Sequence, residues 1–404
     1  MPLGYHGVES MNVCFLGPFW SQDIAEFLRP ADADILERLP GMGGYSLSAL
    51  VRLRLLRGLP TEVITLDPRA SEPVELTNGL LKYTICPRRS RGTGRTLFNR
   101  EVRFLREAIR RSSAEILHAN WAYEYALAAV REPRPCLVTV RDHAGSVLRQ
   151  LGWPYLPNFL VTLLVARQAR YLSAVSPYNA GFVRQVSGKP VRIVPNCASP
   201  KCLEMGDALF ARSDLFSKGL TIASAISAVS YKNPRNAIEA FARVRRVIPS
   251  ARYLLMGPGL DGGDELAAWA QSRGMAAGIE FLGNRSHDEV LGRFAESDII
   301  LHPSLEEACS STVIEAMAFG KPIVADRSGG GTPWVLGEGQ AGVLVDARSP
   351  AELAGAILKL YENRALAVEL ARCAFARARA MFSPDAVLQG YDAIYNEILG
   401  GAKS

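Results

Sequence analysis

Two glutamates and the small residues between them carry the most specific chemistry in this chain. From Ser304 to Asp326 the sequence reads SLEEACSSTVIEAMAFGKPIVAD, with seven residues separating Glu307 from Glu315. A single helix through both would rotate the second about 80° past the first after two turns. The pair can therefore share a ligand only if the helix starts between them and Glu307 lies on the loop before it. Thr312 with Glu315 three residues on matches a capping box, and Gly320 followed by Pro322 ends the helix. Ala308, Ser310 and Ser311 are small and, with Cys309 among them, leave backbone amides uncovered at the positive end of the helix dipole. That setting suits an anion such as a pyrophosphate. Two hydroxyl-seeking carboxylates beside an anion cradle describe a sugar-nucleotide site. The same residues also read as an ordinary capped helix with one solvated carboxylate.

The elements that must position these residues follow from length and pattern. A chain of 404 residues exceeds one ordinary core and predicts two domains of roughly 200 residues each. Hydrophobic residues make up 48% and charged residues 21%, the balance of a globular chain and not of a disordered one. Short apolar runs alternate with longer helical patterns, which predicts βα units and parallel sheets. Strand patterns fall at 13–16, 62–66, 81–86, 116–119, 136–140, 171–175 and 191–194, then at 221–225, 253–256, 279–282, 299–301, 323–325 and 342–345. Between the two sets PNCASPKCLEMGDALFARSDL is polar and broken and reads as a linker. Helical patterns at 350–361, 365–381 and 384–399 close the chain. Two doubly wound domains bind ligands at the carboxyl ends of their strands, with the crevice between domains as the default site. Gly41-Met42-Gly43-Gly44 precedes a helical pattern at 46–57, and its glycines would let backbone approach a ligand.

Charge and cysteine content exclude other classes. No run reaches the roughly 18 apolar residues of a membrane span; the longest, 159–166, stops at Arg167 and reads as a buried helix. MPLGYHGVES lacks the basic-then-apolar pattern of a secretory signal. Cys14, Cys86, Cys136, Cys197, Cys202, Cys309 and Cys373 show no C-x-x-C spacing, so a reduced, cytoplasmic chain without disulfides or zinc is expected. Residues 1–200 hold 25 Lys+Arg against 16 Asp+Glu, and the remainder 21 against 24. Much of the excess lies in 82–111, where Arg88, Arg89, Arg91 and Arg95 precede a helical pattern bearing Arg100, Arg103, Arg106, Arg110 and Arg111. Phe98, Val102, Leu105 and Ile109 recur on one face of that helix. The segment reads either as a basic amphipathic element on anionic lipid or as a core helix with a solvated basic face. Nucleic acid is not an expected partner, since the basic excess carries no base-reading motif.

E-x7-E followed by AMAFGKPIVA is similar to the donor-site signature of the retaining glycosyltransferases of family 4, the group 1 transferases with the GT-B fold. The similarity continues along most of the chain through IVPN at 193–196, YKNPRNAIEAF at 231–241, YLLMGPG at 253–259, FLGN at 281–284 and DIILHPS at 298–304. The resemblance implies two doubly wound Rossmann-like domains facing a central cleft. Residues 1–200 would form the acceptor-binding domain and 201–384 the nucleotide-sugar domain, with a helix at 385–404 packing back on the first. It implies that Glu307 lies against the donor sugar, that Glu315 holds the ribose hydroxyls, and that Gly43 and Gly44 face the donor phosphates. Lys232 matches a lysine that compensates the diphosphate. The arginine expected five residues earlier is Ser227, which leaves Arg235 and Arg285 as substitutes. The backbone of 282–285 would clasp the nucleobase. A histidine expected after LVTV falls on Arg141, with Asp142 next; His143 fills the role if the register shifts, and His118 at the end of a neighbouring strand pattern is a weaker candidate for the acceptor or sugar side. Trp334 stands where a glutamate commonly follows the proline, and reads as core packing more than as pocket lining.

The implied reaction retains configuration at the anomeric carbon by front-face displacement, with the leaving phosphate accepting the acceptor's proton. No cofactor or metal is expected: the donor is a UDP- or GDP-linked sugar. Asp32-Ala33-Asp34 has the D-x-D form of manganese-dependent transferases but precedes the glycine loop. The acceptor implied is a glycan or a lipid-linked molecule in cell-surface polysaccharide or glycolipid synthesis, which favours peripheral contact of 82–111 with the inner face of the plasma membrane. Two other classes stay open. One is a nucleotide-sugar epimerase of the same architecture, against which the E-x7-E spacing argues; the other is a catalytically weakened, partner-binding member, suggested by Ser227 and Arg141.

Overall fold

The computed structural model describes residues 11–92, 94–210, 215–217 and 219–400. The opening decapeptide considered above for a leader, and residues 211–214 of the linker, lie outside the described residues. The chain forms two compact units, Met1–Pro195 with Pro384–Ser404, and Asn196–Ser383.

The first unit is built on an eight-stranded sheet. Its strands are β1 (Val13–Leu16), β2 (Thr61–Asp67), β3 (Val74–Asn78), β4 (Leu81–Pro87), β5 (Ile116–Ala119), β6 (Cys136–Val140), β7 (Tyr171–Ala174) and β8 (Arg192–Ile193), in the spatial order β3-β4-β2-β1-β5-β6-β7-β8. All pairings are parallel except β3 with β4. Every residue of β1, β2, β5 and β6 is buried, as expected where helices cover both faces of a parallel sheet. β3 has no counterpart among the predicted strands. It is an exposed antiparallel edge with one buried residue, Leu76, so it lacks an apolar run; only the Asn78-Gly79 hairpin turn advertised it.

The basic segment 82–111 folds inward. Phe98, Val102, Leu105 and Ile109, lining the helix Asn99–Arg110, are buried in the core of this unit. Arg89 grips the buried Glu101 at 2.8 Å, Arg88 pairs with the buried Glu124, and Arg106 reaches Glu132 at 2.6 Å. The lipid-facing reading of this helix is corrected accordingly, because the apolar face it needs packs against the sheet. The apolar run 159–166 is corrected in the opposite sense. It lies in the helix Leu156–Gln168, where Val161, Val165 and Ala166 are buried but Leu160 and Leu164 are exposed.

The last helix, Pro384–Gly400, belongs to the first unit and is held by buried polar contacts. Tyr395 Oη lies 2.6 Å from His118 Nδ1, while Thr139 Oγ1 lies 2.7 Å from His118 Nε2. The fully buried Arg54 donates to the Met11 carbonyl at 2.7 Å and stands 3.8 Å from Asp392. Burial, reinforced by Arg141 and Arg54, pushes the His118 pKa well below its ordinary value. The expectation of a cleft-facing His118 is corrected: both ring nitrogens are engaged in the core, and its strand position faces the last helix.

The second unit carries a six-stranded, all-parallel sheet of β9 (Thr221–Ala225), β10 (Arg252–Met256), β11 (Ile279–Gly283), β12 (Ile299–His302), β13 (Ile323–Asp326) and β14 (Val343–Val345), ordered β11-β10-β9-β12-β13-β14. The chain runs outward from β9 to β11 and returns to the other side of β9 at β12. The loops leaving β9 and β12 therefore diverge, which makes their carboxyl ends the switch point where such sheets bind ligands. The predicted linker is corrected here: it contains the helix Pro200–Phe210. Gly206, which made the stretch look broken, lets that helix press on the helix Ser311–Ala318; a Cβ there would stand 2.0 Å from the Ala318 carbonyl oxygen.

The His118 contacts define a pH dependence. Unfolded, the ring titrates near 6.5 and folded it stays neutral, so the unfolded state binds the extra proton and stability falls as pH drops below about 6.5. Chemical denaturation of the native chain should show this slope, and His118→Asn should flatten it. Tyr395→Phe should cost about 1 kcal/mol and Asp392→Ala about 3 kcal/mol through the stranded Arg54 charge.

Candidate active site

The connection from β12 to the helix Ser311–Ala318 places the two glutamates. β12 ends in His302, residues 303–310 form a loop, and Ser310 caps the helix by accepting the Val313 amide at 3.3 Å. The expected Thr312 cap is corrected. Ser310, Ser311 and Thr312 are all capable of capping, and the first of them does so, leaving Glu315 in the second turn of the helix. The termination signal acts as expected, since Gly320 adopts φ +61° and the Gly320 and Lys321 amides bond back to Met317 and Ala316, a Schellman ending.

Glu307 sits on the loop in a charged cluster. Its Oε1 accepts from Lys232 Nζ at 2.6 Å and from His302 Nε2 at 3.0 Å. Burial opposes ionisation, but the Lys232 charge and the His302 hydrogen bond outweigh it and hold the carboxyl at about 2. An ionised carboxylate only accepts, so Nε2 of His302 carries its proton; the buried Nδ1 has no hydrogen-bond partner among the described residues. Lys232 closes a short turn after β9, and the next residue, Asn233, donates to the Pro303 and Ala347 carbonyls at 3.2 and 2.7 Å. The Leu305 amide bonds to Tyr231 O at 2.8 Å and the Gly331 amide to Glu307 O at 2.7 Å. Loops from β9, β12 and β13 are thus tied together around one carboxylate. Gly329 is required there, since a Cβ would come within 2.8 Å of the Ser304 carbonyl.

Glu315 is buried near the start of its helix, with Oε1 2.8 Å from Nε2 of His287. His287 opens the helix His287–Glu296, whose cap is a reciprocal Ser286–Glu289 box. Each glutamate therefore has a histidine of its own. Neither histidine stood out in the sequence, although His302 ends a strand pattern and His287 follows a cap-type serine. Ala308 is half-buried, Cys309 and Ser310 are buried, and Ser311 is exposed at the helix start. Arg285 is exposed on the loop after β11. Arg235 is corrected as the substitute cation: it lies over the Trp269 ring at 5.3 Å and pairs with Glu265 at 3.6 Å. Trp334 packs edge-on against Phe382, with ring centroids 6.1 Å apart.

In the first unit the remaining residues lie at the carboxyl ends of β1, β5 and β6. Gly44 approaches the chain leaving β1 so closely that a Cβ would stand 2.1 Å from the Pro18 carbonyl oxygen, whereas Gly43, at φ +84°, has open space on that side. Arg141 Nε donates to Asn120 Oδ1 at 2.5 Å. Asp142 accepts from the Trp121 indole at 2.5 Å and from the Tyr123 hydroxyl at 3.2 Å, and burial raises its pKa against those bonds. His143 caps the helix Ala144–Leu151, its Nδ1 accepting the Ser146 amide at 3.1 Å, with the ring 4.6 Å from Tyr178 and 4.4 Å from Phe182. That cap commits Nδ1 to the helix start. Asp32 of the D-x-D sequence is bound locally by Arg29 at 3.1 Å.

Residues 207–377 match the family model for glycosyl transferases group 1. The D-inositol 3-phosphate glycosyltransferase of Corynebacterium jeikeium is 33% identical over 140 residues, 34% of this chain and 33% of that protein. The enzyme of the same name from Mycolicibacterium vanbaalenii is 32% identical over 204 residues, 46% of this chain and 44% of that protein. The chain thus spans about a quarter to a half of the length of the curated relatives it matches. Sucrose-phosphate synthase from Thermosynechococcus elongatus superposes with a TM-score of 0.70 at 17% identity, covering 97% of this chain and all of that one. Anabaena Alr3699/HepE in complex with UDP and glucose gives 0.65 at 18% identity, covering 96% of this chain and all of that one. At these identities the likeness is one of fold, and the fold is GT-B.

The charged cluster has a measurable signature. The Glu307 carboxyl lies at about 2 folded against 4.5 unfolded, so its contribution of roughly 3 kcal/mol is complete above 4.5 and is lost as pH falls toward 2. Lys232→Met should lower stability near pH 7 by about 3 kcal/mol. It should also shrink the loss between about pH 5 and pH 3, as followed by urea unfolding. An unchanged acid limb would show that Lys232 does not hold the Glu307 charge.

Proposed function

We propose that this chain is a retaining, metal-independent glycosyltransferase of the family 4 type. It moves a sugar from a nucleoside diphosphate to a glycan or lipid-linked acceptor in the synthesis of cell-surface polysaccharide or glycolipid. The observation that carries the proposal is Glu307, held ionised between Lys232 and His302 at the switch point of a GT-B nucleotide-type domain, with Glu315 a turn and a half into the adjoining helix.

Each residue has a role that follows from its chemistry. Glu307 accepts hydrogen bonds from the hydroxyls of the donor sugar, and its fixed charge stabilises the positive character that develops at the anomeric carbon. Lys232 shares its charge between Glu307 and the departing diphosphate. The amides opening the helix Ser311–Ala318 face the same anion. Glu315 accepts from two ribose hydroxyls, with His287 holding the carboxylate in place. Both glutamates are already engaged, which supports front-face displacement over a carboxylate nucleophile: the acceptor oxygen bonds to the anomeric carbon as the glycosidic phosphate oxygen leaves and takes the acceptor's proton. The first domain supplies the acceptor-binding residues, with Asp142 as a hydroxyl-binding group. UDP is the first nucleotide to test, since the HepE structure contains it.

Ser227 favours a second reading, a weakened member that binds nucleotide without turnover, because the loop after β9 offers Lys232 without a neighbouring arginine. Hydrolysis of UDP- and GDP-sugars separates the two: slow release of sugar marks an active transferase, and intact donors mark a binding protein.

Calorimetric titration of UDP and GDP together with steady-state assays tests the assigned roles. Glu307→Ala should cut turnover about a hundredfold or more while nucleotide affinity changes little. Glu315→Ala should weaken nucleotide binding about tenfold to a hundredfold. Equal losses of affinity and turnover in both variants would reject the division between sugar and ribose.

A further inference from the structure

The first domain commits a fully buried carboxylate to a single glycine. Asp67 ends β2 with no exposed surface, a position where a carboxylate must find its donors within the protein. Its Oδ2 accepts the Gly41 amide at 2.9 Å, and its Oδ1 accepts the Arg69 amide at 2.8 Å and Arg69 Nε at 2.9 Å. Arg69 Nη2 in turn donates to the Gly41 carbonyl at 3.0 Å. The N–H and the C=O of one residue are thus both gripped by one ion pair. An aspartate that merely shapes a turn needs only the bond to the amide two residues on. The bonds to Gly41 from Asp67 and Arg69, 26 and 28 residues further along the chain, go beyond that role.

Gly41 opens the glycine loop, and the path of the chain explains why it needs a tie. β1 ends at Leu16, but the loop arrives only after an excursion over 17–40 through three short helices, Ser21–Phe27, Pro30–Asp32 and Ala33–Arg38. Closing a longer connection costs more chain entropy, so the returning arm needs bonds of its own. The Met42 amide bonds to the Phe19 carbonyl at 3.1 Å and the Ser21 amide to the Pro40 carbonyl at 2.8 Å, which join the two arms of the excursion to each other. Asp67, on the strand beside β1, joins the returning arm to the sheet. Gly41 adopts φ +86° without room for a Cβ, which would stand 1.9 Å from the Phe19 carbonyl oxygen. Gly41 is fixed by these contacts and Gly44 by its approach to Pro18, so Gly43 is presented between them, with open space beside it, just before the helix Tyr45–Leu56. We propose that Asp67 and Arg69 are positioning residues for sugar transfer: they hold segment 41–44 in the arrangement that meets the donor phosphates. This role rests on the proposed sugar transfer, and neither side chain needs to touch the donor to perform it.

The test joins hydrogen exchange of the full chain to donor hydrolysis, with each UDP- or GDP-sugar that the native protein cleaves. Arg69 is half-exposed, so its variants should fold. Arg69→Ala should speed amide exchange within 41–44 at least about tenfold and cut kcat about tenfold. UDP affinity should change little, because Glu315 and its helix belong to the other unit. Arg69→Lys, which can reach one partner but not both, should fall between Arg69→Ala and the native chain. Asp67→Ala should cut kcat about a hundredfold; if it does not fold, the Arg69 series carries the test. As a control, Arg52→Ala breaks an exposed pair with Glu26 at 2.8 Å and should leave both exchange at 41–44 and turnover at native levels. Faster exchange with native kcat would overturn the positioning role, and unchanged exchange in Arg69→Ala would overturn the clamp. Equal losses of UDP affinity and kcat would also overturn it, since general loosening of the protein produces that pattern. A native chain that cleaves no donor would reject sugar transfer itself, a result read from the native protein alone.

Discussion

A half-buried carboxylate kept ionised by one lysine and one histidine is the constraint around which the second domain is organised. Partly removing Glu307 and Lys232 from water is costly, and an ion pair so shielded seldom repays that cost in stability over an apolar substitute. The surrounding loops nevertheless converge on it: the Leu305, Gly331 and Asn233 hydrogen bonds fasten three strand ends to the segment that carries Glu307. A charge held at such cost, in a place where the sheet topology opens its loops, is better explained by a ligand than by folding. The negative side needs hydroxyl donors and the positive side needs an anion. A glycosyl diphosphate presents both within one molecule.

The two histidines extend this logic. His302 and His287 each direct one nitrogen at one glutamate, His302 from a strand end and His287 from a helix start. A carboxylate with one fixed donor has fewer orientations open to it, so its remaining lone pairs point at a ligand before the ligand arrives. The histidines of the first domain work differently. His118 is sealed between the sheet and the last helix, and His143 is committed at one nitrogen to capping a helix. The residue type that looks most catalytic by composition is, in that domain, mainly structural.

What the sequence made legible follows from where information is stored. Parallel strands buried on both faces appear as uninterrupted apolar runs, and all thirteen described strands other than β3, the short exposed β8 included, lie within one residue of their patterns. β3 escaped because an edge strand needs only one buried residue. The helix Pro200–Phe210 escaped because Gly206 signals a break in isolation and a close helix contact in the fold. The E-x7-E pair was legible because its spacing and its cap-capable serines are local. Lys232 was legible through the family resemblance, but its pairing with Glu307, 75 residues away, was not, nor was that of His287 with Glu315, 28 residues away; at such distances only the sheet order decides what meets.

Arg235 shows why a missing charge cannot be restored by composition alone. It is three residues beyond Lys232, yet the helix Pro234–Val247 turns it onto Trp269 and Glu265, away from the loop that needs a cation. The left-handed Asn233 separates the turn that carries Lys232 from the helix that carries Arg235, so the two cations leave the backbone on different elements. With Ser227 at the expected arginine position, the cation that the described residues supply beside Glu307 is Lys232. In the proposed reading, the diphosphate relies more on the backbone dipole of the helix at Ser311 than on side-chain charge. Amides at a helix start donate two or three hydrogen bonds with fixed direction, so binding of this kind discriminates by shape and loses little to salt.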